Sequence, residues 1–266
     1  MTEAEILFTE VLKCDRAFLY LNRDLALGKE KGKFISAVLN KRLKGEPIQY
    51  ILGKTEFMGL EFKVTPDVLI PRPETEILIE TVVDCIVKFH LAGERLEILD
   101  LGTGSGCIAV SLAKILANVE ITAIDISLKA IRIAQENALK NKVAEKIVFI
   151  KSDLFRSLPP RKRYAICVSN PPYVISREIN ELQPELKYEP RIALDGGKGG
   201  LDFYRQIIKN SRARLKNGGL LIMEMGFNQD VAIKNIFHKI KDFEVLGIVK
   251  DYSQINRVVI AKYRGK

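Results

Sequence analysis

Four consecutive residues, Asn170-Pro171-Pro172-Tyr173, bring together groups suited to holding a conjugated –NH2. The lone pair of an amide or aryl-amine nitrogen is delocalised into a π system, so the nitrogen attacks poorly. Removing or adding a proton outright is difficult near neutral pH. A site can instead accept both N–H hydrogens, here with the Asn170 side-chain oxygen and the Pro171 carbonyl. Acceptors so placed meet the positive charge that develops on nitrogen during attack, which stabilises the transition state electrostatically. They also aim the lone pair for an in-line displacement. Tyr173 can stack on the planar group, and the two prolines end a strand and stiffen the loop. A plain strand terminator would explain the prolines but neither the Asn before them nor the Tyr after.

A second constellation describes what the nitrogen would attack. Asp100-Leu101-Gly102-Thr103-Gly104-Ser105-Gly106 follows an apolar run and opens a helical pattern. Glycines there let the backbone turn tightly and come close to a ligand. The spacing is G-x-G-x-G, which differs from the dinucleotide fingerprint, and the Lys of a phosphate-binding loop is missing. S-adenosylmethionine has no phosphate and suits such a loop. Asp125 closes the next apolar run, where a carboxylate can accept both ribose hydroxyls. Asp153 follows the third, in Ser152-Asp153-Leu154-Phe155, where the adenine would lie. Singly, each has a bland explanation: a mere turn for the glycines, a helix N-cap for either aspartate. Together they fall at successive strand carboxyl ends, where open α/β sheets bind ligands.

The elements that must position these groups can be read from periodicity. Residues 1–46 carry apolar residues at helical spacing, through Ile6, Leu7, Val11 and Leu12, and again through Phe34, Ile35, Val38, Leu39 and Leu43, until Gly45-Glu46-Pro47 stops them. Residues 47–74 read as a β-hairpin, with strands at Tyr50–Gly53 and Phe57–Val64, followed by a linker held extended by Pro66, Pro71 and Pro73. From residue 75 to 266, helices and strands alternate. The strands are expected at Leu96–Leu101, Val119–Asp125, Ile147–Ile150, Tyr164–Asn170, Leu220–Met225, Phe243–Val249 and Arg257–Ala261. Helices are expected between them, including Leu201–Leu215, with Gly218-Gly219 as a turn. Such alternation means a mostly parallel sheet with helices on both faces, here a Rossmann-like α/β domain of seven strands whose last two form an antiparallel hairpin.

Composition narrows the chemistry further. Of 266 residues 47% are apolar, enough for a real core, and the formal charge is +9. The basic residues are scattered, and Arg161-Lys162-Arg163 is their densest cluster, so no nucleic-acid-binding arm is expected. The four cysteines form no C-x-x-C pair, and only His90 and His238 are present. Disulfides, a zinc site or any other metal centre, and a His-dependent triad are not expected. No apolar run reaches the length of a membrane span and the N-terminus is acidic, so a cytoplasmic protein is expected.

With these residues in hand, the chain resembles the release factor glutamine methyltransferases along essentially its whole length. The resemblance also rests on Gly45-Glu46-Pro47-Ile48-Gln49-Tyr50-Ile51-Leu52-Gly53, Ile70-Pro71-Arg72-Pro73-Glu74-Thr75-Glu76, Glu189-Pro190, Gly200–Tyr204 and Arg257-Val258-Val259. It implies a class I methyltransferase fold. It also implies methyl transfer to the glutamine nitrogen in the Gly-Gly-Gln loop of peptide chain release factors, with the helical N-terminal domain and hairpin gripping that protein partner. Carried over, Gly102, Thr103, Gly104, Ser105, Gly106, Asp125, Asp153, Leu154 and Asn170 would meet the cofactor. Asn170, Pro171, Pro172 and Tyr173 would seat the glutamine. Phe57, Arg72 and Glu74 would shape or support the pocket, although Arg72 and Glu74 can equally pair with a neighbour or cap the helix near Thr75. Where an aromatic often follows the aspartate in the family, this chain has Leu154 with Phe155 next. Gly199 stands where an Asp is common, and Ser253-Gln254-Ile255-Asn256 is unusual. The same Asn-Pro-Pro-Tyr serves nucleic-acid amino methyltransferases, the main rival. A non-catalytic docking scaffold and a nicotinamide oxidoreductase fit the residues less well.

Overall fold

Short, well-capped helices build the front of the chain. In the computed structural model, which describes residues 2–22, 24–91 and 95–265, α1 (Glu3–Leu12) opens on a reciprocal cap. Thr2 accepts from the Glu5 N–H, and the Glu5 carboxylate accepts from the Thr2 N–H at 2.7 Å. Asp15 caps α2 (Arg16–Leu21) by accepting from the Phe18 N–H. With α3 (Lys29–Arg42), Leu7, Ile35, Val38 and Ile48 bury a small core separate from the main one.

The next turn departs from the expected strand. Residues Ile48–Leu52 form a helix, α4, with Pro47 at its start and Gly53 left-handed at its end, φ +73°. That is the Pro-first, Gly-last signature of a helix, and over so few residues it outweighs an apolar alternation. The turn directs Ile48 into the helical core and Tyr50 toward the linker, where the Tyr50 hydroxyl donates to the Val68 carbonyl at 2.6 Å. The hairpin is present one step later, as β1 (Lys54–Phe57) and β2 (Leu60–Lys63). Its turn residues Met58 and Gly59 both have positive φ, 52° and 69°, which matches the twist of the strands they join. Asn137 fastens the hairpin to the rest. It accepts from the Lys63 N–H at 2.7 Å and donates to the Ser105 carbonyl at 2.8 Å.

The remaining chain alternates as expected: α5 (Glu74–Lys88), β3 (Leu96–Leu101), α6 (Cys107–Ile115), β4 (Val119–Asp125), α7 (Leu128–Lys140), β5 (Ile147–Lys151), β6 (Tyr164–Ser169), α8 (Asp202–Ser211), β7 (Leu215–Glu224), α9 (Asp230–Ile240), β8 (Phe243–Lys250) and β9 (Asn256–Tyr263). The sheet order is β5-β4-β3-β6-β7-β9-β8, and β9 runs opposite to the other six strands, antiparallel to both β7 and β8. One core cluster packs α5, α6 and the hairpin against one face of the sheet, and a second packs α8 and α9 against the other. Two boundaries differ from expectation. Helix α8 stops at Ser211, and Gly218-Gly219 lies inside β7 rather than in a turn before it. The register between β6 and β7 shifts there, from Tyr164↔Leu215 to Ile166↔Leu220. A Cβ on Gly219 would stand 3.0 Å from the Ala165 carbonyl oxygen, so the pair makes a bulge through which two backbones pass closely.

Candidate active site

The chain winds outward from β3 to β4 and β5, then crosses back to lay β6 against the other side of β3. A reversal of this kind leaves a crevice beyond the strand carboxyl ends. A cavity of about 370 Å³ lies there. Leu101, Gly102 and Gly104 line it from β3 and its loop, and Ile124 and Asp125 from β4. Ser152, Asp153 and Leu154 come from the end of β5, and Ser169, Asn170, Pro171 and Pro172 from the end of β6. Val68 and Leu69 of the linker, and Pro190, Ile192 and Phe203 from the later loops, close its sides.

The glycine loop takes its shape from backbone bonds. The Gly102 and Thr103 N–H groups both donate to the Ile124 carbonyl at 2.9 Å. Gly102, Gly104 and Gly106 all have positive φ. At Gly102 and Gly104 there is open space where a side chain would stand, whereas a Cβ on Gly106 would press on Ala134 of α7. The loop therefore divides its labour. Gly102 and Gly104 face the cavity, while Thr103, Ser105 and Gly106 do not line it. Thr103 and Ser105 are buried beneath, and Gly106 sits against α7.

The aspartates sit deeper than their sequence positions suggest. Asp125 accepts from the Gly104 N–H at 2.9 Å with one oxygen and from the Ser127 N–H at 2.8 Å with the other. Burial raises its carboxyl, against the pull of backbone donors from Ser127, Gly104 and Ile126. Asp100, the penultimate residue of β3, is fully buried. One oxygen accepts from the Thr103 hydroxyl at 2.6 Å and the other has no partner among the described residues. Burial pushes it up to about 7, helped by Asp125 and opposed by Thr103. At the end of β5, Leu154 is held at φ +47° by the Ser152 hydroxyl, which donates to its carbonyl at 2.6 Å. Leu154 lines the cavity, whereas Phe155 is buried in the core cluster beneath α8.

Asn170 and Pro171 reach the cavity directly after β6. The Asn170 amide nitrogen donates to the Thr75 hydroxyl at 3.1 Å, and that hydroxyl donates to Glu224 at 2.7 Å. Tyr173 does not line the cavity. It is half-buried, and burial pushes its phenol up to about 12. Its backbone is walled by glycines, since a Cβ on Gly196 would stand 2.7 Å from the Tyr173 Cα and one on Gly200 2.5 Å from its carbonyl oxygen. Gln229 donates to that same carbonyl at 3.0 Å. Arg72, Glu74 and Phe57 also lie off the cavity. Arg72 pairs with Glu189, whose side chain is 1% exposed. Glu74 opens α5, and Phe57 is buried edge-on against Phe62. Thr75, Glu224, Gly196 and Gln229 went unmarked as site residues in the sequence, because only the β6–β7 register and the seating of α5 bring them to Asn170 and Tyr173.

The donor set suits a cationic ligand with ribose hydroxyls. Asp125 and Asp153 put two carboxyl groups on the cavity wall, Asp153 paired with Arg156 at 3.0 Å, while Asp100 lies buried behind them. Gly102 and Gly104 leave room for a close approach, and no lysine stands among the lining residues to meet a phosphate. The volume falls in the usual range for small-molecule sites, about 300–1,000 Å³. Among the described residues no group of three or more His, Cys, Asp or Glu is placed to hold a metal ion. Among the same residues no helix is long and apolar enough to cross a membrane.

Known proteins resemble this chain in sequence and in fold. Residues 75–185 match the model of the methyltransferase small domain, and residues 1–53 match that of the PrmC N-terminal domain. A release factor glutamine methyltransferase of Thermodesulfovibrio yellowstonii is 42% identical over 259 residues, covering 97% of this chain and 91% of that one. One of Fusobacterium nucleatum is 41% identical, covering 98% of this chain and 73% of that one. A solved 16S rRNA methyltransferase of T. thermophilus, in complex with AdoMet and guanosine, superposes with a TM-score of 0.54 at 18% identity, over 80% of this chain and 50% of that one. That last likeness is one of fold.

Proposed function

The chain belongs to the release factor glutamine methyltransferases, and from that premise we propose that it methylates the side-chain nitrogen of the glutamine in the Gly-Gly-Gln motif of peptide chain release factors. Bound in the cavity, S-adenosylmethionine supplies an activated methyl group on a sulfonium. Asp125 would accept the ribose hydroxyls, since each of its oxygens, already bonded to one backbone N–H, keeps a second lone pair. Gly102 and Gly104 would let the loop backbone lie against the ligand, with Leu154 and Asp153 at the adenine end.

Asn170 Oδ1 and the Pro171 carbonyl would accept the two N–H hydrogens of the glutamine amide. Both acceptors then face the nitrogen as it becomes positive, and Pro172, Ile192 and Phe203 give the cavity apolar walls beside them. The observation that carries this reading is the polarity of the Asn170 amide. Its nitrogen donates to the Thr75 hydroxyl and lies beside Glu224, which leaves its oxygen for the cavity that Asn170 lines. Transfer would leave a cationic N-methyl amide, acidic enough to give its surplus proton to water, so no base need act on the substrate nitrogen before attack. The test offers methyl-labelled S-adenosylmethionine to the protein with a release factor, with DNA and with RNA in separate reactions. Label in the factor supports the reading. Label in nucleic acid alone overturns it in favour of a nucleobase amine.

A further inference from the structure

A hydroxyl has one proton to give, and Thr75 gives its proton to Glu224. Toward Asn170 it can therefore only accept, and the amide nitrogen is the partner it finds at 3.1 Å. The amide's orientation is thus set from behind, by a carboxylate that does not line the cavity. Three elements converge to make the relay. Thr75 is the second residue of α5, Glu224 is the last of β7, and Asn170 follows β6, whose Ser169 pairs with Met223. Thr75 is 2% exposed and Glu224 1% exposed, so water does not compete for these bonds.

We propose that Glu224, acting through Thr75, is a positioning residue that holds the Asn170 amide with its oxygen toward the substrate nitrogen. The role rests on the reading of Asn170 given above. Ionised Glu224 must take the Thr75 proton, and the chain of donors then runs in one direction only. A protonated Glu224 can donate to Thr75 instead, and the Thr75 hydroxyl then donates to Asn170 Oδ1. The amide turns over and presents –NH2 to the cavity, where it would meet the substrate –NH2 donor against donor. The groups around Glu224 are Thr75 and Glu74 from α5, Arg257 from β9, Asn170 and Tyr173 after β6, Tyr204 from α8 and Cys107 at the start of α6. Burial pushes Glu224 up to about 7, with Glu74 adding to the rise and Thr75, Arg257 and Asn170 opposing it. The relay is therefore set to reverse near neutrality, and turnover should rise as pH climbs through that value.

The experiment compares Thr75→Val, Thr75→Ser and Glu224→Gln with the wild type, at saturating S-adenosylmethionine and varied release factor. Thr75→Val keeps the shape and loses the relay, so kcat should fall by about tenfold to a hundredfold, less than the full loss of a transition-state partner. KM for the factor should stay near wild type, the melting temperature should fall by a few degrees because buried Glu224 loses its partner, and Thr75→Ser should recover most of both losses. Glu224→Gln should lower kcat and flatten its rise with pH. A Thr75→Val enzyme as fast as wild type, or a Ser variant as slow as Val, overturns the proposal. So does a Glu224→Gln enzyme with an unchanged pH profile, which also decides the matter if Thr75→Val does not fold. If wild type labels no release factor, the functional reading fails separately. The relay is then judged by hydrogen exchange of the Asn170 side-chain amide in 15N-asparagine protein. Slow exchange in wild type and Ser but fast exchange in Val upholds it, and equal rates overturn it.

Discussion

Gly104 and Gly106 stand two positions apart in one loop, both left-handed, and alanine at each should fail in a different way. A Cβ on Gly106 meets Ala134 Cβ at 2.9 Å and Ala134 Cα at 3.1 Å. Neither atom can swing aside, because one is helix backbone and the other is attached directly to it. Left-handed backbone costs an L-residue about 1–2 kcal/mol, and overpacking adds about 1–3 kcal/mol. Gly106→Ala should therefore lose about 2–5 kcal/mol of stability, a drop in Tm on the order of 10 °C for a chain of this size. Gly104, at φ +56°, has nothing within 4 Å of its would-be Cβ, so only the backbone cost applies and Tm should fall by a few degrees. The open space there is the cavity that Gly104 lines, and a methyl in it should weaken S-adenosylmethionine about tenfold or more, at least ~1.4 kcal/mol. Thermal unfolding without ligand and calorimetric titration with S-adenosylmethionine read the two effects separately. A Gly104→Ala protein that binds the methyl donor as tightly as wild type would refute this division of the loop, as would a Gly106→Ala protein that melts with wild type.

Other perturbations have equally definite outcomes. Asn170→Ala should keep S-adenosylmethionine affinity within roughly tenfold, about 1.4 kcal/mol, while removing most turnover; surviving turnover in single-turnover assays would show that Asn170 is not the orienting group. Asp125→Asn replaces one acceptor facing a backbone N–H with a donor and removes the charge, so S-adenosylmethionine affinity should fall by at least about tenfold, measured by equilibrium binding. Arg72→Ala should destabilise by about 1–3 kcal/mol, below the cost of opening a fully buried pair because Arg72 is 31% exposed. That loss should depend on pH. Burial raises the Glu189 carboxyl even with Arg72 beside it. A raised folded-state value favours folding while the group is protonated, and the benefit is lost as pH rises through it. Urea unfolding should therefore show a larger Arg72→Ala deficit at pH 8 than at pH 5, and an equal deficit would contradict the sign.

Much of this architecture was legible because the groups that face the cavity sit at strand ends, where sequence periodicity already marks a boundary. The glycine loop, Asp125, Asp153 and Asn170 share that property, and the seven strands follow from the same alternation. What stayed hidden depends on register and packing. Nothing local announces that Thr75 and Glu224, far apart in sequence, meet through one hydroxyl behind Asn170. Gly196 and Gly200 look like loop filler until the Tyr173 backbone is found against them. Leu154 rather than Phe155 facing the cavity rests on a left-handed residue pinned by Ser152, which no propensity foretells. Tyr50–Leu52 alternates like a strand, yet its flanking Pro47 and Gly53 make a helical turn. Arg72 occurs in a segment that resembles the family's motif, but here it holds Glu189 beside the cavity wall at Pro190.

On the proposed function, the methyl group goes to an amide nitrogen held by Asn170 and Pro171. The direct measurement is fragmentation mass spectrometry of a release factor after incubation with the protein and S-adenosylmethionine. One added methyl should appear on the side chain of the Gly-Gly-Gln glutamine, and it should be absent from the Asn170→Ala reaction. A methyl on any other residue, or an equally modified factor from Asn170→Ala, would contradict the proposed function.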